Sequence, residues 1–521
     1  MKKKILGPLV ILIILIIFNI DSNLKNRIGY LNYDFYQNIF EKNFSTNKVI
    51  IVDIDEESIK KLGQFPWRRD IHSIILDKLQ SANVALVAFD IFFSETDKQN
   101  PKKILTEFNI VADIKSIIDT DNLFLESIKN SNVILPLVGS TKDTKKNQFS
   151  IKSNIITKGE DPLKFLYNYQ GFIASLNQFN EAAKGLGSIS IIDSEDGILR
   201  AVPLFLNINQ QLTPALSMEA IRLLNSEENY VIETDLSGIQ TIKTRSTNFK
   251  INENGLKFIK FKKINKESYV SASDIYDGNF DKELFKDKII LIGSSAEGVF
   301  DLVKIPTGDI IPGVQVHANI IDNILSKDFI EISYFTKIFE NIILLFGLII
   351  IMLITNYFKP IYSIINYLFL TIIIFAVSII FYQINYFVEI YNIILFSSSL
   401  FLFLLYLRFV EENKSSLENE KKQLLLKKER EIAGEVQKKL FPIKKDLENF
   451  IYAKNIPAKD VSGDYYDYIK VSDNEIYFTL ADVSGKGIKA GMLMANASSV
   501  FKSFSKLKFS INELAQNINN Q

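Results

Sequence analysis

Cysteine is absent from this sequence of 521 residues, and histidine occurs only twice, as His72 and His317. The lack of cysteine excludes disulfide bonds, thiolate metal ligands and a cysteine nucleophile. Two histidines cannot form a metal site built from several imidazoles. An excess of one charge is absent too, because 60 basic residues balance 60 acidic ones. We therefore expect no nucleic-acid partner, since such partners usually require a basic surface.

Apolar residues, in contrast, are abundant: 47% of the sequence is hydrophobic and its mean hydropathy is +0.11. This composition indicates membrane spans. Four transmembrane helices are predicted, at 5–20, 339–357, 361–381 and 387–407. The first run is short for a hydrocarbon core of about 30 Å. No small-residue cleavage site follows it, so we favour an uncleaved signal anchor over a cleaved signal peptide.

Lysine and arginine near the spans predict the orientation of the chain in the bilayer. Basic residues occur in the N-terminal segment 1–4, at Lys359 and at Arg408, whereas the tight loop 383–386 has none. Because positively charged loops stay in the cytoplasm, these three sites are expected there. The segment 21–336 is then extracytoplasmic, and the lipid bilayer is the first expected partner.

Predicted strands and helices alternate within the segment 21–336, which is typical of an α/β domain. Strand patterns occur at 49–55, 84–90, 133–138 and 289–292. Helices are predicted at 71–82 and 313–325. An Asp-Gly pair at 196–197 predicts a hairpin turn between strands 187–192 and 198–207.

Polar residues follow two of these strands and suggest a ligand pocket. Asp55 and Asp90 end strands that we expect to be neighbours in a parallel sheet, and ligands often bind at the carboxyl ends of such strands. A pocket formed by Asp55, Glu56, Arg68 and Asp90 is therefore one hypothesis. The alternative is that Asp55 caps the following helix. His317 lies on an apolar helix face, where a hydrogen-bonded core histidine is expected rather than a ligand.

Several short motifs of the outer segment resemble, in order, the second CHASE family of extracytoplasmic sensor domains. They lie at 52–58, 62–69, 89–95, 196–200, 291–294 and 312–319. The resemblance implies a sensor of an unknown extracytoplasmic ligand, between one N-terminal span and three later ones. It also implies a multi-pass protein of the bacterial cytoplasmic (inner) membrane.

The composition changes after Arg408, where the segment 408–442 is rich in glutamate, lysine and leucine. Leu417, Leu424, Ile432 and Leu440 recur at heptad-like intervals. This pattern predicts a helical linker, and one interpretation is a parallel coiled coil within a homodimer. The alternative is a solvated helix of a monomer.

Two aspartates are predicted to lie side by side in the segment that follows. Asp464 and Asp482 flank a strand, a turn at 472–474 and a second strand. A hairpin of this kind brings its two ends together. Adjacent carboxylates beside flexible glycines suit hard divalent cations, which prefer oxygen ligands. The alternative is that both aspartates belong to ordinary turns.

The segments 432–442, 457–464 and 482–495 resemble SpoIIE-like phosphatases, which belong to the PPM class of metal-dependent serine/threonine protein phosphatases. The resemblance implies that Asp464 and Asp482 are catalytic residues and metal ligands, and that Val483 binds metal through its backbone carbonyl. Two Mn²⁺ or Mg²⁺ ions would then activate water. It further implies a phosphorylated regulatory substrate, such as an anti-sigma-factor antagonist. Where Ser462 stands, the family usually has a glycine.

We thus expect a multi-domain membrane protein with an α/β sensor domain, four transmembrane helices and a helical linker. The segment 443–521 is expected to form the first half of an α+β PPM-type β-sandwich, since the later aspartates of that family have no counterpart in this sequence. The predicted function is a receptor that controls a phosphatase output. The alternative is a non-enzymatic sensor or interaction protein. A transporter is disfavoured, because the spans lack interior charges.

Overall fold

The computed structural model describes residues 2–108, 117–142, 149–192, 194, 196–252, 254–296, 298, 301–332, 334–442, 451–457, 460–485 and 487–521. These residues form two compact units, Met1–Leu402 and Phe403–Gln521.

Fourteen helices begin in the described part of the first unit, and the last of them continues into the second. They are α1 (Lys2–Phe18), α2 (Asn23–Ile39), α3 (Glu56–Leu62), α4 (Arg69–Ser81), α5 (Pro101–Glu107), α6 (Thr120–Lys129), α7 (Asn177–Ala182), α8 (Leu216–Leu224), α9 (Ala272–Asp277), α10 (Lys282–Phe285), α11 (Gly313–Ser326), α12 (Tyr334–Tyr357), α13 (Pro360–Gln383) and α14 (Ile390–Lys438).

The strands of the first unit lie between α2 and α11. They are β1 (Lys42–Asn43), β2 (Val49–Ile54), β3 (Leu86–Phe89), β4 (Val133–Ser140), β5 (Asn154–Lys158), β6 (Asn168–Tyr169), β7 (Gly171–Ala174), β8 (Gly185–Ser188), β9 (Ala201–Pro203), β10 (Phe205–Ile208), β11 (Gln211–Pro214), β12 (Asn229–Asp235), β13 (Gly238–Lys243), β14 (Asn248–Lys250), β15 (Leu256–Phe258), β16 (Lys262–Lys263), β17 (Tyr269–Ser271), β18 (Ile289–Ser294), β19 (Leu302–Lys304) and β20 (Ile310–Pro312).

A seven-stranded sheet organises the α/β domain between α2 and α12, which we call the outer domain after its predicted side of the membrane. Its strand order is β17-β2-β18-β3-β4, and both β7 and β8 pair with β4. All pairings are parallel except that of β4 with β7. All six residues of β2 are buried, as expected for a central parallel strand covered on both faces. Smaller sheets are formed by β11-β10-β6 and β14-β13-β12-β5.

Two hydrophobic cores cover the faces of this sheet. Because successive side chains of a strand point to opposite faces, Val49 and Ile51 of β2 pack into one core, and Ile50 and Val52 pack into the other. The predicted alternation of strands and helices therefore corresponds to a doubly covered α/β domain.

Two predictions about strand pairing are wrong. β18 lies between β2 and β3, so the strands preceding Asp55 and Asp90 are not neighbours. The hairpin predicted around residues 196–197 does not form, because β8 pairs with β4, β9 with β15 and β10 with β11. Asp193 and Glu195 of that segment lie outside the described residues.

Helix α2 connects the outer domain with the apolar helices. It follows α1 at an angle of 80°. Arg200 of the outer domain donates two hydrogen bonds of 2.7 Å to the carboxylate of Asp34. One turn further along α2, Gln37 donates to the hydroxyl of Tyr382 in α13 at 2.8 Å. Helix α2 therefore contacts both the outer domain and α13.

Three helices among the described residues, α12, α13 and α14, are long and apolar enough to cross a membrane. The bent pair of α1 and α2 gives a fourth span only if the two helices are counted as one. The spans predicted at 339–357 and 361–381 lie within α12 and α13, and that predicted at 387–407 overlaps α14. The span predicted at 5–20 overlaps α1, which ends at Phe18.

The second unit contains the rest of α14, the strands β21 (Asp464–Ser472) and β22 (Glu475–Asp482), and the helices α15 (Ile488–Ser505) and α16 (Ile511–Asn519). A small core forms around Tyr477, Phe501 and Leu514. The predicted linker 408–442 is helical as far as Lys438, without a break after the apolar part of α14. The coiled-coil dimer stays a prediction.

Candidate functional site

The hairpin of β21 and β22 brings Asp464 and Asp482 directly opposite each other. The N–H of Val483 donates to the carbonyl of Gly463 at 3.2 Å. This bond makes the two aspartates a non-hydrogen-bonded pair, in which opposing side chains lie closest and project from the same face. Both aspartates are exposed. The geometry therefore brings together the two carboxylates that the sequence singled out.

Gly463 allows a third oxygen to approach this pair. A Cβ atom at position 463 would lie 2.8 Å from the carbonyl oxygen of Val483 and 3.6 Å from Oδ1 of Asp482. The first distance is too short for a carbon atom, so the close approach requires glycine at this position. The carbonyl of Val483 and the carboxylate of Asp482 thus border the same narrow space.

Ser462 occupies a position where SpoIIE-like phosphatases usually have glycine, and its side chain and backbone are hydrogen-bonded. Its hydroxyl accepts a hydrogen bond of 3.1 Å from the N–H of Asp464. The side-chain amide of Asn455 donates to the carbonyl of Asp464 at 2.8 Å. Gln437, near the end of α14, binds both backbone groups of Ser462. Gln437 and Asn455 could not be predicted from the sequence as supports of this site, because nothing in their spacing marks them.

Two other features border the aspartate pair. Gly485 and Gly487 have φ values of 111° and 85°, which favour glycine, and they lead from β22 into α15. Asp467, a third aspartate of the hairpin, is buried and engaged by the hydroxyl of Tyr465 at 2.7 Å and by Lys502 at 3.3 Å. It is therefore not available to a metal at this site.

The oxygen atoms of Asp464, Asp482 and the Val483 carbonyl are of the type that a divalent cation prefers, but they are too few to complete its coordination shell. Carboxylate and carbonyl oxygens are the ligands that Mg²⁺ and Mn²⁺ prefer. Among the described residues, however, no three acidic or histidine side chains converge on one point. An octahedral shell would therefore need further oxygen atoms from water or from other protein groups.

The outer domain contains a cavity of about 1180 Å³. It lies at the carboxyl ends of β3, β4 and β18, where Asp90, Gly139 and Ser294 contribute to its wall. Open α/β sheets commonly bind ligands at this edge. Burial raises the pKa of Asp90 to about 8, and the nearby charge of Asp301 contributes a smaller part of this shift.

Of the four residues predicted to form one ligand pocket, only Asp90 lines this cavity. Asp55 is instead the N-cap of α3, accepting from the N–H of Ser58 at 2.8 Å, and Glu56 begins that helix. Arg68 forms an ion pair with Asp70. The structure therefore does not bring the four together, and the alternative interpretation of Asp55 as a helix cap is the one observed.

His317 of α11 is buried, as expected, but it also contributes to the cavity wall. Its Nε2 lies 3.9 Å from Oδ1 of Asp90. Its Nδ1 has no hydrogen-bond partner among the described residues. Burial lowers the pKa of His317 to about 4, so the ring is neutral at physiological pH. The predicted burial of His317 is therefore confirmed, but its predicted hydrogen bonding is not, because 3.9 Å exceeds hydrogen-bond distance.

Comparison with known families identifies the outer part of the chain. Residues 9–355 match the model of the CHASE2 domain, which is more than half of the sequence. The chain belongs to the CHASE2 domain family. The match begins in α1 and ends in α12, so the CHASE2 region includes α2 and the α/β domain with its cavity.

A second match covers the aspartate hairpin in part. Residues 472–521 match the model of stage II sporulation protein E (SpoIIE), which includes Asp482 and Val483 but begins after Asp464. The chain is also 35% identical over 96 residues to phosphoserine phosphatase RsbU of Bacillus subtilis (strain 168). That similarity covers 18% of this chain and 28% of the length of RsbU. No solved structure matches the chain.

Proposed function

We propose that this protein is a membrane receptor in which the CHASE2 domain senses an extracytoplasmic cue and controls a cytoplasmic metal-dependent phosphatase region. The proposal combines a sensor family with a SpoIIE-like segment in one chain. It assigns the segment 21–336 to the outside of a bacterial cytoplasmic membrane and the segment 443–521 to the phosphatase region. The distribution of basic residues supports this orientation.

The observation that carries the phosphatase assignment is the pairing of Asp464 with Asp482 beside the carbonyl of Val483. Ordinary turns do not require two exposed carboxylates on one face, since their mutual repulsion destabilises a hairpin. The pairing is explained if the carboxylates bind cations.

Asp464, Asp482 and the Val483 carbonyl would hold Mn²⁺ or Mg²⁺, together with ligands from water or other groups. Two bound ions would supply an activated water and offset the charge that develops on a phosphoryl group. The surrounding residues fix the positions of these ligands. Ser462 and Asn455 hold the backbone of Asp464 from two sides, and Gly463 leaves the space in which the Val483 carbonyl lies.

The substrate class follows from the relatives rather than from the site. RsbU is a phosphoserine phosphatase, and by analogy we propose a phosphorylated regulatory protein, such as an anti-sigma-factor antagonist, as the substrate. A homodimer joined along α14 is part of the same proposal, because exposed Leu417, Leu424 and Ile432 lie along that helix.

The test uses the full-length protein in lipid nanodiscs and compares wild type with Asp482→Asn. Mn²⁺ binding, followed by the loss of the free-ion EPR signal, is expected for wild type and at least about tenfold weaker for the variant, because one charged ligand is removed. Asp473→Asn, at the exposed turn of the same hairpin, is the matched control.

Hydrolysis of a phosphoserine peptide is measured on the same samples. Turnover that requires Mn²⁺ and disappears in Asp482→Asn supports the enzyme. Mn²⁺ binding without turnover favours the alternative of a non-enzymatic sensor, and absence of Mn²⁺ binding contradicts the metal site itself.

A further inference from the structure

We infer that the cavity at the carboxyl edge of β3, β4 and β18 binds a small organic cation, in which a primary ammonium group is carried on an apolar body. This inference rests on the proposed sensor role of the CHASE2 domain and specifies the chemistry of its ligand. Four observations support it: a buried acid without a basic partner, a neutral polar group without a hydrogen bond, the distance of the nearby basic groups from that acid, and an apolar wall.

The uncompensated acid is Asp90, whose side chain is only 13% exposed. No lysine or arginine of the described chain lies within ion-pair distance of its carboxylate. A second acid, Asp301, lines the same cavity. A Cβ atom added to Gly313 would lie 3.7 Å from Oδ2 of Asp90 and 3.8 Å from the backbone carbonyl of Asp301, so both residues border one point. A cation at that point would favour the ionised form of Asp90 and would lie beside Asp301 as well.

His317 supplies the neutral polar group. The residue is 4% exposed, it lines the cavity, and its Nδ1 lacks a hydrogen-bond partner among the described residues. A buried nitrogen without a hydrogen-bond partner destabilises the protein, and a ligand that bonds to it recovers that cost. Because the ring is neutral, it adds hydrogen-bonding capacity beside Asp90 without neutralising the acid.

None of the basic residues that line the cavity lies within ion-pair distance of Asp90 among the described residues, although Nε of Arg69 lacks a hydrogen-bond partner of its own. The guanidinium of Arg69 lies 4.6 Å from the centre of the Phe93 ring and donates to the carbonyl of Glu95 at 3.2 Å. Lys98 is paired with the carboxylate of Glu95 at 2.9 Å. Lys304 is exposed to solvent.

Apolar side chains form much of the remaining wall. Phe92, Tyr169, Ile189 and Leu302 contribute, and the volume of about 1180 Å³ is sufficient for a drug-sized molecule. Aromatic faces also attract cations, because the ring face carries negative electrostatic potential. An ammonium group near Asp90 with a hydrocarbon body against these side chains would match both parts of the cavity.

Three probes with similar bodies and different head groups test the inference: 2-phenylethylamine, 2-phenylethanol and 3-phenylpropanoate. Their binding to the full-length protein in nanodiscs is measured by titration calorimetry at pH 9, where Asp90 is ionised and the amine still carries its proton, with empty nanodiscs subtracted. The amine is expected to bind at least about tenfold more tightly than the alcohol or the acid, because only the amine pairs with Asp90.

Variants assign the binding to the cavity. Asp90→Asn is expected to weaken binding of the amine at least about tenfold and to leave the alcohol nearly unchanged. Asp301→Asn should weaken the amine less, since this residue is exposed. Asp77→Asn, which changes an exposed aspartate of α4, serves as the control and should have no effect.

Equal affinity for amine and alcohol, preference for the carboxylate, or an undiminished affinity in Asp90→Asn would each overturn the inference. Failure of all three probes to bind at millimolar concentration would do so as well. The titration needs neither Mn²⁺ nor hydrolysis, so its outcome is separate from that of the phosphatase proposal.

Discussion

The side-chain amide of Gln437 holds the backbone of Ser462 through two hydrogen bonds. Its Nε2 donates to the carbonyl of Ser462 at 2.7 Å, and the N–H of Ser462 donates to its Oε1 at 2.8 Å. Gln437 is the penultimate residue of α14, and Ser462 lies two residues before Asp464. A displacement of the end of α14 would therefore be transmitted to the strand that carries the first candidate metal ligand.

Replacement of Gln437 by alanine should loosen this connection. The Gln437→Ala variant leaves two buried backbone groups of Ser462 without partners, at a cost of about 2 kcal/mol or more. We expect faster hydrogen exchange of the amides of Ser462 and Asp464, and weaker binding of Mn²⁺. Gln423→Ala, at an exposed position of the same helix, is the control. Equal exchange in both variants would show that the contact does not hold the strand.

A methyl group at position 463 should disturb the site from within. In Gly463→Ala, the new Cβ would lie 2.8 Å from the carbonyl oxygen of Val483, so the two strands must separate locally. A loss of about 1–3 kcal/mol in the stability of the second unit is expected, as for other overpacked positions. Mn²⁺ affinity should fall although both aspartates remain. A variant with unchanged Mn²⁺ affinity would exclude the Val483 carbonyl as a ligand.

The pKa of Asp90 predicts a pH dependence of the stability of the outer domain. Its folded-state pKa is raised to about 8, well above the ordinary value of 3.8. The folded state therefore binds more protons than the unfolded state between these pH values, and stability is lost as the pH rises through this window. The stability that protonated Asp90 contributes to the folded state is fully present below pH 3.8 and is lost above about pH 8.

Asp90→Asn removes this titration, and the comparison of the two proteins isolates it from all other groups. Measured by chemical denaturation, the variant should become progressively more stable than wild type between pH 5 and pH 8. A difference that is constant across this range would contradict the burial of an uncompensated acid.

Local features of the fold could be predicted from the sequence. The buried run of β2, the amphipathic pattern of α4 and the hairpin of β21 and β22 depend on residues close together in the chain. The pairing of Asp464 with Asp482 belongs to this class, because a short turn fixes which residues of two adjacent strands face each other.

Features that depend on distant segments could not be predicted. Ile289–Ser294 has the pattern of a strand, but nothing in that pattern shows that β18 lies between β2 and β3. The same holds for His317, whose helical face is apolar and yet borders a polar cavity next to Asp90. Asp55 satisfies both a capping pattern and a strand-end pattern, and only the three-dimensional structure distinguishes them.

The central claim is that the CHASE2 domain and the aspartate hairpin lie on opposite sides of the membrane. Because the chain has no cysteine, single introduced cysteines report their own side without background labelling. Suitable positions are Leu236, 90% exposed in the outer domain, and Asp473, whose side chain is 98% exposed in the hairpin turn.

The decisive measurement treats cells that express Leu236→Cys or Asp473→Cys with a maleimide that cannot cross the cytoplasmic membrane. The account predicts that Leu236→Cys is labelled while the membrane is intact, and that Asp473→Cys is labelled only after the membrane is permeabilised. The reverse pattern, or labelling of both variants before permeabilisation, would contradict the receptor architecture.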